Sequence, residues 1–123
     1  MSGSYLLDTN VFINAIRRQL QLPAAHYVYS VITELELLGF PGLASEEEHA
    51  IQVVLGQLTR VELDSQVRTE TIRVRRSSHM KLPDSIICAS ALVTAATLVT
   101  DDAKLAQKHV GDVISLDALL SRD

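Results

Sequence analysis

Five short apolar or alternating runs each lead into a helix-start signal, and this alternation limits the fold more than any other feature of the chain. The runs are Tyr5–Leu7, Tyr27–Tyr29, Arg60–Leu63, Thr97–Thr100 and Val113–Ser115. Between them stand apolar residues at helical spacing. Val11, Phe12, Ile13, Ile16 and Leu20 precede Pro23, and Ser30 can cap a helix of Ile32, Leu35, Leu37 and Leu38 that Gly39 closes. Ser45 and Glu48 have capping-box spacing ahead of Ala50, Ile51, Val54, Leu55 and Leu58. Asp64 or Ser65 opens a charged helix through Val67, Thr71 and Val74, followed by a loop from Ser77 to Lys81. Pro83 suits the first position of a helix that is apolar nearly all round and therefore central. Ala103–His109 and Asp117–Leu120 give two shorter helices. The expectation is an α/β, three-layer sandwich, a short, mostly parallel five-stranded sheet flanked by helices, forming a single domain over residues 1–123.

Composition narrows the function classes. At 47% hydrophobic and 21% charged, the chain of 123 residues is globular rather than disordered. Cys88 is its only cysteine, which excludes an intramolecular disulfide and a cysteine-rich zinc site and fits a reducing cytoplasm. Ile86–Val99, the most apolar stretch, is interrupted by Ser90, Thr94 and Thr97 and is too short to span a bilayer. With no signal-peptide pattern ahead of it, a cytoplasmic protein without membrane contact is expected. His26, His49, His79 and His109 share no i, i+4 spacing and read as separate surface or hydrogen-bonded histidines. Eleven basic against fifteen acidic residues give a net charge of -4, which excludes a histone-like polycation but not a basic patch.

The acids fall at telling places. In parallel sheets ligands bind outside the carboxyl ends of the strands, where the strand order reverses. Asp8 directly follows the first strand and Asp101-Asp102 the fourth, so if those strands are neighbours their acids face one crevice. Glu36 lies on the second helix and Asp84 in the first turn of the central one. Each has an ordinary local role, since Asp84 suits any helix first turn and Asp102 any N-cap. Taken together, unpaired carboxylates beside an apolar sheet are costly, and a hard divalent cation such as Mg²⁺ or Mn²⁺ would offset that cost.

Four segments in this order resemble the PIN-domain ribonucleases, in particular the VapC-type toxins of toxin-antitoxin modules, over nearly the whole chain from Tyr5 to about Leu116. Leu6-Leu7-Asp8-Thr9-Asn10-Val11 is similar to the family's opening strand and first aspartate, and Ser30-Val31-Ile32-Thr33-Glu34-Leu35-Glu36-Leu37 to its Ser-x-x-Thr-x-x-Glu-Leu helix. Leu82-Pro83-Asp84-Ser85-Ile86-Ile87 and Leu98-Val99-Thr100-Asp101-Asp102 resemble the third and fourth motifs. Glu34 and Glu36 are about 200° apart on a helix, so only one faces the crevice, and the motif selects Glu36. The Thr-x-Asp spacing likewise selects Asp102 over Asp101. Two departures stand out: Asp101 occupies a position that is often basic in relatives, and Leu105 one that is often aromatic.

The resemblance implies a metal-dependent endoribonuclease, the toxin of a toxin-antitoxin pair, acting on a structured RNA such as tRNA or rRNA and leaving a 5′-phosphate and a 3′-hydroxyl. Mg²⁺ is the implied cofactor, with Mn²⁺ able to substitute. Asp8, Glu36, Asp84 and Asp102 are the implied catalytic acids, of which Asp8, Asp84 and Asp102 hold metal and Glu36 ligates or orients. Asn10, Thr33 and Thr100 are candidate supports for them, with turn and capping roles as the alternative. The implied partners are the RNA, a cognate antitoxin covering the active-site groove and a second copy in a homodimer; a modest apolar surplus over Pro41–Leu58 is a candidate contact face that core packing explains equally.

Arg68, Arg73, Arg75, Arg76 and Lys81 lead into Asp84 with only Glu70 opposing them, and they either carry RNA phosphates or form a solvated helix face. Aromatic residues are few and none follows Phe40, which favours recognition of folded RNA by shape over base stacking. Three other readings compete. An aspartyl phosphohydrolase would use Asp8 as nucleophile but would want an aspartate where Asn10 stands. A phospho-receiver would need its acid pair at the first strand and a lysine after the last. A non-catalytic PIN-like binding module has no need of four acids. Setting the four acids aside leaves eleven acidic against eleven basic residues, so the excess charge coincides with the candidate site.

Overall fold

Leu6 alternates with Tyr5 and Leu7, so the first strand is apolar on both faces and can only lie in the middle of a covered sheet. The computed structural model, which describes residues 3–122, has this arrangement. β1 (Ser4–Leu7) is flanked by β2 (His26–Ser30) and β4 (Thr97–Val99), with β3 (Thr59–Val61) and β5 (Val113–Ile114) at the edges. Every pairing is parallel, so the sheet is wholly rather than mostly parallel. The order β3-β2-β1-β4-β5 reverses between β1 and β4, which makes Asp8 and the residues after β4 neighbours.

The two faces of β1 divide the core. Tyr5 and Leu7 pack with Phe12 of α1 (Thr9–Arg17), Leu37 of α2 (Val31–Leu38), Ile51 and Leu55 of α3 (Ser45–Gly56), and Leu116 and Leu119 of α7 (Leu116–Leu120). Leu6 packs on the other side with Val74 of α4 (Ser65–Ser78), Ile87 and Ala91 of α5 (Leu82–Val93), and Leu105 of α6 (Ala103–Lys108). Three layers result. Within α5, Ser85 to Ala91 are all buried, as its nearly continuous apolar character requires.

Several boundaries differ from expectation for local reasons. α1 ends at Arg17, well before Pro23. Ser45 is the first residue of α3 rather than its cap: Ala44 is the cap, and the Glu47 carboxylate accepts from its backbone N–H at 3.1 Å. α4 runs on to Ser78 because the hydroxyls of Ser77 and Ser78 donate to carbonyls one turn back, and His79, at φ 58°, ends it in the left-handed region. Leu82 precedes Pro83 in α5, so the proline is its second residue. Gly39 closes α2 through close approach, since a Cβ there would stand 2.5 Å from the Leu35 carbonyl oxygen. Among the described residues no helix is long and apolar enough to cross a membrane.

Candidate active site

Asp8 is the N-cap of α1, at the carboxyl end of the central strand, and only 6% of it is exposed. Both of its oxygens are engaged. Oδ1 accepts from the Thr9 backbone N–H at 2.8 Å, and Oδ2 from the Thr100 hydroxyl at 2.7 Å. Thr100, itself buried, accepts in turn from the Asp102 backbone N–H at 3.1 Å. The parallel pairing of β1 with β4 is what brings Thr100 to Asp8 across 92 residues of chain.

A second chain of hydroxyls supports Glu36. The Thr9 hydroxyl donates to Glu36 Oε1 at 2.7 Å, which leaves its oxygen to accept from the fully buried Thr33 hydroxyl at 3.0 Å. Thr33 and Thr100 are therefore both supporting groups. Asn10 is exposed on α1 and, among the described residues, is hydrogen-bonded to none of the acids. Thr9, which sequence reasoning passed over, is the residue that joins the first acid to the second. Its signal was faint: a threonine just inside a helix start, between two residues that drew attention.

Asp102 caps α6, its Oδ1 accepting from Lys104 and Leu105 N–H at 3.0 and 3.3 Å, and Asp84 sits in the first turn of α5. The capping role of Asp102 and its place in the crevice are compatible, because a cap at a strand-to-helix turn points along the sheet's carboxyl edge. The four acids feel one another. Burial pushes the Asp8 carboxyl above its ordinary value, against the Thr100 and Thr9 hydrogen bonds, and the charges of Asp84 and Glu36 push it further. Asp84 is raised by burial, then by Asp102 and Glu36, with Lys81 and Lys108 opposing. Lys108, at the end of α6, is a second residue not singled out from sequence.

The neighbours of these acids have other work. Asp101 Oδ1 accepts from Leu116 N–H at 3.0 Å, tying β4 to α7, while Glu34 pairs with Arg60 at 2.9 Å on the flank of the sheet. Of the basic stretch, Arg68 donates to the Leu63 carbonyl at 2.9 Å and Arg73 pairs with Glu70 at 3.7 Å. Arg68 and Arg75 share one line of α4 whereas Arg73 is about 140° away, so the five residues do not form one stripe. Arg75, Arg76 and Lys81 are exposed, and Lys81 acts on Asp84. One histidine departs from expectation: His109 is buried and neither ring nitrogen has a hydrogen-bond partner among the described residues.

A hard cation fits the donor set. Asp8, Glu36, Asp84 and Asp102 offer only oxygen, burial and then mutual repulsion raise the pKa of Asp8 and Asp84, and no ion pair among the described residues includes any of the four. No three His, Cys, Asp or Glu side chains among the described residues are grouped so as to hold an ion as they stand. Asp8 is a poor nucleophile here, being buried with both oxygens hydrogen-bonded.

The fold is similar to that of several solved complexes. VapBC2 from Rickettsia felis bound to a promoter DNA fragment superposes with a TM-score of 0.80 at 17% identity, over 93% of this chain and 99% of that one. DNA-bound VapBC from Salmonella typhimurium gives 0.77 at 21% identity, over 94% and 98%. A toxin-antitoxin complex from Klebsiella pneumoniae gives 0.75 at 22% identity, over 89% and 95%. No curated protein matches the chain. The model of the PIN domain family matches residues 5–111, from β1 to the approach of β5, and so takes in all four acids and the threonines that hold them. The chain belongs to the PIN domain family.

Proposed function

We propose that the protein is a metal-dependent endoribonuclease and the toxin of a toxin-antitoxin pair. The observation that carries this reading is the hydrogen-bonded pair of supports under the acids: Thr100 fixes Asp8, and Thr9 with Thr33 fixes Glu36, at the reversal of the strand order. Asp8, Asp84 and Asp102 are the proposed metal-holding residues, with Glu36 as ligand or orienting partner. A bound Mg²⁺ or Mn²⁺ supplies an acidified water and charge relief on the phosphate. The protein's part is to hold the carboxylates in place, which the threonine hydroxyls do for Asp8 and Glu36. Lys81 and Lys108 are suited to the RNA backbone at the rim, and exposed Arg75 and Arg76 are further candidates.

An antitoxin partner is supported by the solved neighbours, which are toxin-antitoxin complexes, and exposed Leu35, Phe40 and Val53 offer apolar surface to it or to a second copy in a homodimer. The decisive experiment incubates the protein with total RNA and with separate tRNA and ribosomal RNA, with Mg²⁺ or Mn²⁺, beside EDTA and Asp8→Asn controls. Discrete fragments are expected in the metal lanes alone. Cleavage that persists in both controls would overturn the metal-dependent reading.

A further inference from the structure

Residues 109–112 join α6 to β5, and in them burial runs against chemistry. His109 is 7% exposed, whereas Val110 beside it is 79% exposed, the most of any large hydrophobic side chain among the described residues. An imidazole is thus inside and an aliphatic group outside. Both ring nitrogens are shut off from solvent and lack a hydrogen-bond partner among the described residues, an arrangement that costs stability. Gly111 makes it possible, since a Cβ there would stand 3.0 Å from both His109 Nε2 and Leu92 Cδ2, and a glycine also leaves the segment free to turn. His109 and Val110 both line a cavity of about 220 Å³ between α4, α5 and α6, in which Met80, Cys88 and Leu92 offer apolar surface. The space is ample for a valine side chain, since a cavity of about 150 Å³ already accepts a benzene ring.

We propose that residues 109–112 form a proton-operated latch: the neutral His109 ring is held inside, and on acidification His109 and Val110 change places, the imidazolium turning out to Asp112 and Val110 turning into the cavity. Adjacent side chains of an extended segment point to opposite sides, and His109 has an extended backbone, with φ -71° and ψ 128°. Rotation of one short stretch therefore exchanges the two side chains. With the ring neutral the inward position keeps its apolar edges packed. Once the ring carries a proton, the outward position gives it water and a carboxylate, and the valine left at the surface gains a place among Met80, Cys88 and Leu92.

The surrounding charges favour the exchange. α4 presents Glu70 and Arg73 to the cavity, already paired at 3.7 Å, and α6 presents Lys108, which repels a second cation. α5 presents Cys88, whose thiol burial holds un-ionised with a pKa pushed up to about 12. The one acid that acts on His109 is Asp112, and it is exposed. Burial pushes the His109 pKa below its ordinary 6.5, with Asp112 opposing, so the folded ring resists a proton that the unfolded chain accepts. The segment is also joined to the sheet. Leu98 N–H donates to the Asp112 carbonyl at 2.9 Å and Thr100 N–H to the Ile114 carbonyl at 3.0 Å, so a rotation of residues 109–112 acts on the rungs that seat Thr100, the partner of Asp8. The latch stands on these contacts whatever reaction the crevice performs.

The test lowers the pH of the metal-free protein stepwise from 7.5 and follows the His109 ring by ¹⁵N NMR and the Val110 methyls by the relaxation that a soluble nitroxide causes. The ring is expected to take up its proton below pH 6.5, and the Val110 methyls, relaxed by the nitroxide at pH 7.5, to become protected with the same midpoint. Val110→Ser, which has no aliphatic group to put in the cavity, is expected to lower the midpoint, and Asp112→Asn to lower it by about 0.3 pH unit, the worth of an exposed ion pair. In His109→Phe the Val110 methyls are expected to stay exposed at every pH, and its unfolding temperature to gain on the parent's as the pH falls below 6.5. A ring that stays neutral until the whole protein unfolds, or one that is protonated while Val110 remains exposed, overturns the latch, and both are read on the unaltered protein. A midpoint that Val110→Ser leaves unchanged overturns it as well.

Discussion

Thr9 shows how much of the site depends on a side chain that bears no charge. Its backbone N–H holds Asp8, its hydroxyl holds Glu36, and its oxygen receives Thr33, so removing the hydroxyl frees one acid and strands a buried donor at once. Thr9→Val is expected to weaken Mn²⁺ binding by about 10- to 100-fold, the usual cost of losing a group that orients a ligand, and Thr9→Ser to restore most of it; calorimetric titration measures both. Equal affinity in all three proteins would refute the positioning role. Asp84 tests the electrostatics. Asp8 and Asp84 are both held above their ordinary 3.8 in the folded chain, so between that value and the raised ones the folded state binds more protons than the unfolded. Metal-free stability therefore falls as pH rises through this window and stays lower at neutral pH. Asp84→Asn removes part of that slope and is expected to unfold at a higher temperature than the parent in EDTA at pH 7, yet to lose most of the parent's gain with Mn²⁺. A variant that unfolds readily in EDTA would instead make Asp84 a structural cap.

At the scale of elements, strand ends were legible because β1, β2 and β4 are apolar runs that stop at a residue able to cap the next helix: Asp8, Ser30 and, two residues past Thr100, Asp102. What escaped was one local device and whatever depends on contact between distant segments. Ala44 looks like no cap at all, and it serves because the Glu47 side chain satisfies its N–H from within the helix. Helix geometry let only one of Glu34 and Glu36 face the crevice, the motif selected Glu36, and Arg60 explains where Glu34 goes instead. Asp101 gave no sign of its role, since its partner Leu116 is fifteen residues on and across the end of β5. The His109 cavity was equally hidden, being made where three helices meet. Asp101→Ala is expected to cost about 1 kcal/mol of stability, as the loss of a cap does, with Mn²⁺ affinity retained, and chemical denaturation measures the cost. Phe12, fully buried against Tyr29, makes a contrast: Phe12→Ala is expected to cost about 3–5 kcal/mol by the same measurement.

For the whole molecule, the balance of charge and the order of the strands matter most. Apart from the four acids, eleven acidic residues balance eleven basic ones, so the excess charge coincides with the crevice to which the proposed function brings RNA. Without metal the crevice repels a phosphate backbone, and Asp84→Asn is expected to bind tRNA more tightly than the parent in EDTA, with the difference shrinking as salt is raised; filter binding over a salt series measures this. The strand order carries a consequence of another kind. β1 is made before its partner β4, which begins at Thr97, so Asp8 waits through 92 residues of chain for Thr100, and longer for Asp102. Until β4 has been made, a growing chain thus holds an unfinished site. A chain cut anywhere before β4 lacks Thr100 and Asp102 and so cannot finish the site, however well its first strand and helix are formed.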